Sequence, residues 1–150
     1  MALDPKLVGR TYTSAQPYEV GREKIREFAD AVNDPHPAYR DPEAAKALGH
    51  PDVIAPPTFA IVVTRETSWQ VIEDPELDLA LHRVLHGEQR FAHTRPIRPG
   101  DQLVCTLTID SVKQAAGMDV ISTRTEIATV SGEPVCTALA TLFHRPEESA

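Results

Sequence analysis

Between Leu103 and Phe143 the chain repeats one pattern: a long run of β-branched, aliphatic and threonine residues, closed by a glycine-bearing pair. Leu103, Cys105, Leu107 and Ile109 alternate with Val104, Thr106 and Thr108, the period of a strand with one buried face. Residues 120–130 (VISTRTEIATV) and 135–143 (VCTALATLF) continue it with the residue types that pleated sheets favour. Gly100-Asp101, Ala116-Gly117 and Ser131-Gly132 supply turns at intervals that make successive strands antiparallel neighbours. An earlier strand is expected over residues 88–94, followed by a loop over 96–100. The last strand is apolar on both faces, which predicts burial on both sides, one against a helix and the other, or its edge, against a second subunit.

The first half of the chain has a different period. Residues 11–20 (TYTSAQPYEV) read as a strand or extended arm between Gly9 and Gly21, and Pro17, which cannot donate to a ladder, suits an edge. From Gly21, Ile25, Phe28, Ala29 and Val32 recur at i, i+3, i+4 and i+7, predicting an amphipathic helix ended near Asn33 by Pro35. Residues 42–48 (PEAAKAL) form a short helix behind an Asp41 cap, with Gly49 as its stop. Residues 57–72 open on proline, which suits a first helical turn, and carry Phe59, Ile61, Val62 and Val63 into a third helix. Strand, helices, then a run of strands make an α+β arrangement, with a helix lying on an antiparallel sheet.

At 150 residues and 41% hydrophobic composition, one domain over residues 1–150 is expected. The net charge of −7, with no Lys/Arg run, argues against nucleic acid as a partner. No stretch approaches the roughly 20 apolar residues of a membrane helix, and MALDPKLVGR lacks a signal-peptide core, so a cytoplasmic location without a membrane is expected. Cys105 and Cys136 lie in apolar runs and read as reduced, structural thiols. His82 and His86 have the i, i+4 spacing of a helical metal pair, with His93 following, but they fall at the entry to a strand; neither a metal nor a cofactor is expected.

Three polar residues stand between prolines in NDPHPAYRDP, residues 33–42. Read alone, Asp34 is a turn-forming aspartate, Tyr39 a packed ring and His36 a loop residue. Yet DPHPAYRDPEAAKALGHPDVIAPPTF, together with LHGEQRFAHTRPIRPGD, resembles the MaoC-like hot-dog hydratases and dehydratases, more closely their N-terminal-type, HadA-like actinobacterial subunits. The resemblance implies a hot-dog fold, an antiparallel sheet wrapped around a long central helix, working as a dimer. Hydrating members carry G-D-x-N-P-I-H-x-D-P, whose Asp and His manage water and proton at the double bond of an enoyl thioester. Laid on Asp41-Pro42, this chain has Asp34 at the family's Asp, His36 at its Asn, and Tyr39 at its catalytic His.

That departure has chemical content. A phenol with a pKa of about 10 is a poor base at neutral pH beside an imidazole at about 6.5, though it remains a hydrogen-bond donor. His36, three residues earlier in a proline-fixed loop, points elsewhere. Where relatives begin the helix with a glycine whose N–H holds the thioester oxygen, this chain has Ile54-Ala55-Pro56-Pro57, and Pro57 has no N–H.

The resemblance then implies a substrate-binding, catalytically incomplete subunit of a (3R)-hydroxyacyl-thioester dehydratase or enoyl hydratase. Its substrate would be acyl-ACP or acyl-CoA, and a MaoC-like partner in a heterodimer would supply the Asp/His pair. Asp34, His36 and Tyr39 would stand at the polar end of an apolar channel that includes Ala55, Pro56, Pro57, Thr58, Phe59 and Val62. Two alternatives remain open: a non-enzymatic homodimer that binds acyl thioesters, and a thioesterase using Asp34. Arg95 and Arg98, in the turn RPIRPGD, read as mainly structural, with contact to an anionic phosphopantetheine or carrier protein as their second reading.

Overall fold

Alternation puts Leu103, Cys105, Leu107 and Ile109 on one face of β4 (Gln102–Ala115), and all four are buried. Ile121, Thr123, Thr125 and Ile127 of β5 (Met118–Thr129) share that face, with Ile127 opposite Cys105 and Thr125 opposite Leu107. The two strands join through Ala116 and Gly117, both at positive φ (52° and 74°), as a two-residue hairpin turn that follows sheet twist requires. β6 (Pro134–His144) pairs with β5, and β3 (Val84–His93) lies outside β6. At the other edge, β1 (Thr11–Thr13) and β2 (Tyr18–Glu19) both pair with β4, so the antiparallel order is β1-β4-β5-β6-β3. The structure, a computed structural model, describes residues 3–147.

The strand expected over residues 11–20 is therefore two short pieces. Between them Ser14 leaves the ladder, yet its hydroxyl accepts from the Cys105 N–H at 2.8 Å, and Pro17 has no N–H to continue the pairing. A second irregularity lies in β3, where the register shifts between His86 and Glu88. A Cβ on Gly87 would sit 2.1 Å from the Phe143 ring, so glycine is required by that close approach.

The first helix, α1 (Arg22–Ala31), buries Ile25 and Ala29 and packs Phe28 against the core. Val32 falls beyond its last residue and is exposed. α2 (Pro42–Ala47) is capped as expected, the Asp41 carboxylate accepting from the Glu43 N–H at 2.9 Å. The third helix opens as a tight turn over Pro57–Phe59 and continues as α3 (Ala60–Val63) and α4 (Arg65–Glu73). Its hydrogen bonding runs through Thr64, whose N–H reaches Ala60 O and whose carbonyl accepts from Ser68 N, each at 3.0 Å. The result is one rod relaxed at a threonine.

This rod lies on the inner face of the sheet. Phe59, Ala60 and Val63 pack with Ile25, Ile97, Leu103, Cys105 and Ile127; farther on, Val71 packs with Leu7, Leu77, Leu107, Ile109 and Ile121. That is the expected α+β hot-dog arrangement. In β6, Val135, Cys136 and Ala138 are buried, while Leu139, on the face expected to meet a second subunit, is 38% exposed in the single chain. Among the described residues, no helix is long and apolar enough to cross a membrane.

Two polar contacts lie inside the shell. Asp119 accepts from Gln114 Nε2 at 3.2 Å and lies 3.3 Å from His144 Nδ1, while His144 Nε2 accepts from the Ala80 N–H at 3.3 Å. Asp74 accepts from the Tyr12 hydroxyl at 2.6 Å and the Glu76 N–H at 2.9 Å, with Arg10 Nε at 2.9 Å. Burial pushes the Asp74 carboxyl up, but these partners outweigh it and hold the group below its ordinary range. A depressed carboxyl contributes stability in full above its unfolded-state value, near about 4, and loses it as pH falls through the lower folded value.

Tyr12→Phe is therefore expected to cost about 1–3 kcal/mol at pH 7, with the gap to wild type closing as the medium is acidified. Urea unfolding at a series of pH values checks this, and equal stability at pH 7 rejects it. Burial also pushes both Cys105 and Cys136 up to about 11. A thiol-disulfide reagent at pH 8 should find neither thiol in the native protein and both in denaturant.

Candidate functional site

The proline-rich loop is held by its own short-range bonds. Asn33 turns the chain out of α1 at φ 56°, and the Asp34 N–H reaches back to Ala29 O at 2.9 Å. The Asp34 carboxylate accepts from the His36 N–H at 3.2 Å, and His36 Nδ1 accepts from the Ala38 N–H at 3.1 Å, capping the tight turn Pro37–Tyr39. Arg40 donates to Asp34 O at 2.6 Å and pairs with Asp30. Asp34 is half-buried and His36 is exposed. The turn-forming reading of Asp34 thus describes a contact that it makes, and His36, read as a loop residue, caps the turn that follows it.

Tyr39 is half-buried, its ring centroid 5.6 Å from that of His36. Burial first, and the Asp34 carboxylate second, push its hydroxyl pKa up. The phenol keeps its proton, so it can donate a hydrogen bond but is ill suited to act as a base.

A strap of chain ties this loop to the far side of the sheet. Ile54 N–H reaches Ala38 O at 3.1 Å and Ala55 N–H reaches Ile97 O at 2.7 Å. Beside it lies a cavity of about 310 Å³, lined by Tyr39, Ile54, Ala55 and Pro57 and, from the end of β3, by His93 and Thr94. His93 Nε2 lies 2.7 Å from Pro57 O; a carbonyl only accepts, so this nitrogen carries the proton. Pro57 thus has no N–H to offer, and its carbonyl is already engaged. Cys136 Sγ is 3.8 Å from the same ring, but its raised pKa excludes a thiolate partner for it.

The structure distributes the other sequence candidates. Ala55 and Pro57 line the cavity, and Thr58 is exposed. Pro56 and Phe59 are buried; Phe59 stacks edge-on with Phe28 at 5.5 Å and Tyr18 at 6.3 Å. Val62 belongs to a separate apolar groove of about 440 Å³ between α1 and the rod, with Phe28, Ala31, Ile61 and Trp69. Asp34 and His36 are not in the lining of the Tyr39 cavity. His93 is the cavity residue that sequence reasoning missed. Its signal was the spacing from Phe91: a β3 in which Phe91 packs on the core carries His93 to the same side. Among the described residues, no group of three or more His, Cys, Asp or Glu is arranged to hold a metal ion.

Arg95 is a clamp. Its guanidinium forms two bonds to Asp101, at 2.8 and 2.9 Å, and a third to Glu133 at 2.8 Å, joining the end of β3 to the loop before β4 and the turn before β6. The side chains of Arg95 and Asp101 are only 15% and 8% exposed. The Arg98 N–H also donates to Asp101, at 3.0 Å. Arg95 therefore has its charge matched within the fold, and the anion-contact reading keeps only Arg98.

Residues 6–138 match the family described as "FAS1-like, dehydratase domain region". A UPF0336 protein of Streptomyces avermitilis is 57% identical over 99% of this chain and 99% of its own length, and one of Thermobifida fusca is 50% identical over 97% and 95%. Among solved structures, the C-terminally truncated HadBC complex of Mycobacterium tuberculosis, a (3R)-hydroxyacyl-ACP dehydratase, is 31% identical with a TM-score of 0.84, over 95% of this chain and 99% of that one. A MaoC-like dehydratase is 35% identical with a TM-score of 0.84, over 91% of this chain but 42% of that longer one. The chain belongs to the FAS1-like dehydratase-region family, and its fold is that of the MaoC-like hot-dog hydratases and dehydratases.

Removing the clamp strands a buried carboxylate. Arg95→Ala is expected to lower stability by about 3 kcal/mol, whereas Arg98→Ala should leave it within about 0.5 kcal/mol. Denaturant unfolding of both variants checks the contrast, and equal effects reject the clamp.

Proposed function

We propose that this FAS1-like dehydratase-region chain is a HadA-like, substrate-binding subunit of a (3R)-hydroxyacyl-thioester dehydratase or enoyl hydratase. In this reading it is a single-domain cytosolic protein that works beside a MaoC-like subunit carrying the intact Asp/His pair. One observation carries the proposal. Where hydrating relatives hold a base and an oxyanion donor, this chain holds a phenol that keeps its proton and a proline whose carbonyl is already bonded. Replacing an imidazole by a phenol costs about 5 kcal/mol of unfavourable ionisation before any burial, and burial here adds to it.

The sheet edge supports a partner. β3 has ten residues, seven of them exposed, including Leu85 at 63%, and among the described residues it pairs with β6 alone. A long unpaired edge is a template for another strand, and proteins cover or protect such edges. Similarity to a dehydratase that is itself a complex, HadBC, points to a hot-dog subunit as the cover. The groove of about 440 Å³ lined by Phe28, Ile61 and Trp69 offers apolar surface for an acyl chain.

The test is reconstitution. Crotonyl-CoA hydration is measured with this chain, with a MaoC-like subunit, and with both. The pair is expected to exceed this chain alone by at least about 100-fold, the scale of a general acid–base contribution. Full activity from this chain alone rejects the division of labour. Binding without turnover in any pairing favours a non-enzymatic acyl-thioester binder, and free thiol released from acyl-CoA favours a thioesterase.

A further inference from the structure

Asp119 and His144 form a buried titratable pair outside the candidate site. They are register partners on β5 and β6, 1% and 5% exposed, with the carboxylate 3.3 Å from Nδ1 of the ring. Gln114 of β4 donates to the same carboxylate at 3.2 Å, and the other ring nitrogen, Nε2, accepts from the Ala80 N–H at 3.3 Å. A backbone N–H only donates, so Nε2 holds a lone pair. The ring is then neutral, with its one proton on Nδ1 and directed at Asp119. Both side chains line a cavity of about 540 Å³, which gives solvent protons a path to the pair. The other charged groups around that cavity are Asp4, Glu76, Asp78, Arg83 and Glu147.

We propose that His144 is a proton-operated latch on the linker between α4 and β3, residues 74–83. One proton taken from solvent at Nε2 makes the ring an imidazolium. It keeps its Nδ1–H on Asp119, now as an ion pair, but its Nε2–H faces the Ala80 N–H, donor against donor, and that bond is lost. Ala80 lies between two other anchors of the linker. On one side Leu77 is buried; on the other, Arg83 O accepts from the Arg145 N–H at 3.1 Å and the Arg83 guanidinium donates to Pro146 O at 3.2 Å. Release at Ala80 therefore frees the middle of the linker. His144 is also the register partner of Val84, the first residue of β3, so the freed segment runs directly into the exposed sheet edge. The consequence for assembly rests on the proposed function, in which that edge receives the MaoC-like subunit: acid loosens the edge where it begins. The latch itself does not rest on that reading.

Amide hydrogen exchange of the full chain between about pH 8 and about pH 5.5, the range in which imidazoles titrate, reads the latch at Ala80 once the intrinsic pH dependence of exchange is removed. Nitrogen-15 NMR of the His144 ring counts its protons in the same samples. At the upper pH the ring is expected to carry its proton on Nδ1 and the Ala80 amide to be protected. As the second proton is taken up, that protection should fall by about 5-fold or more, the scale of one net hydrogen bond. His144→Gln is the discriminating variant, because an amide can donate to Asp119 and accept from the Ala80 N–H without titrating. It is expected to protect Ala80 equally across the range. His82→Gln removes the nearby imidazole that accepts from Arg83 at 3.3 Å, and it should keep the wild-type pH dependence. Should His144→Gln fail to fold or to hold Ala80, the wild-type midpoints decide: loss of protection must coincide with protonation of the ring.

Ala80 protection that persists when the ring is an imidazolium overturns the proposal, and so does a ring that stays neutral throughout the range. A pH dependence that His144→Gln retains also overturns it, since the responsible group would then be one of the carboxylates around the cavity. Sedimentation of the chain with a MaoC-like subunit at the two pH values tests the consequence for assembly. Weaker association in acid for wild type, absent in His144→Gln, supports it. A pH dependence that both share belongs to the partner and sinks the link to the edge. No association at either pH sinks the subunit reading, while the exchange data still decide the latch.

Discussion

One helical rod buried under one face of a sheet is the contact on which the remaining geometry depends. Phe59, Ala60, Val63 and Val71 are at most 4% exposed, and the strand residues that meet them alternate along β4 and β5. Each large apolar side chain taken from water contributes about 1.5–3 kcal/mol, so sliding the rod or slipping a strand by one residue would forfeit several such terms together. Phe59 is the pivot. Held by Tyr18 and Phe28 at its edges, it places the first turn of the rod, and hence the Pro57 carbonyl, where His93 of β3 meets it at 2.7 Å.

The candidate site follows from that placement and from a set of polar ties around it. Loop 33–42 is closed by its own side chains, the strap over residues 53–55 bonds to Ala38 on one side and Ile97 on the other, and Arg95 fastens the next loop to two turns of the sheet. No buried side-chain nitrogen or oxygen among the described residues lacks a partner. A cavity framed in this way is set before a ligand arrives, which lowers the ordering cost of binding. Within it, the Tyr39 hydroxyl keeps its proton and the Pro57 carbonyl is already bonded.

Much of the fold was legible because its signals are local. Period-two alternation marked β4, β-branched, threonine-rich and apolar runs marked β5 and β6, glycine-bearing pairs marked their turns, and Asp41 with Pro42 marked the start of α2. The failures have a common cause in contacts distant along the chain. Ser14 leaves its strand for the Cys105 backbone, 91 residues away. Val32 continues the helical period but lies past the end of α1. In the loop, Asp34 and His36 each bond to a backbone N–H two positions on, contacts that belong to the local sequence.

The sequence by itself determined most of the strands and helices and the proline-fixed loop that carries Tyr39, because each depends on neighbours within a few residues. Tertiary structure alone decided that His93 would share a cavity with Tyr39, 54 positions earlier, and that its ring would bond to Pro57, 36 positions away. It also decided that Arg95 would spend its charge on Asp101 and Glu133. The physical reason is that a donor or acceptor acquires a role only from the group folded against it. A sequence carries no distance between residues that meet by sheet pairing and helix packing.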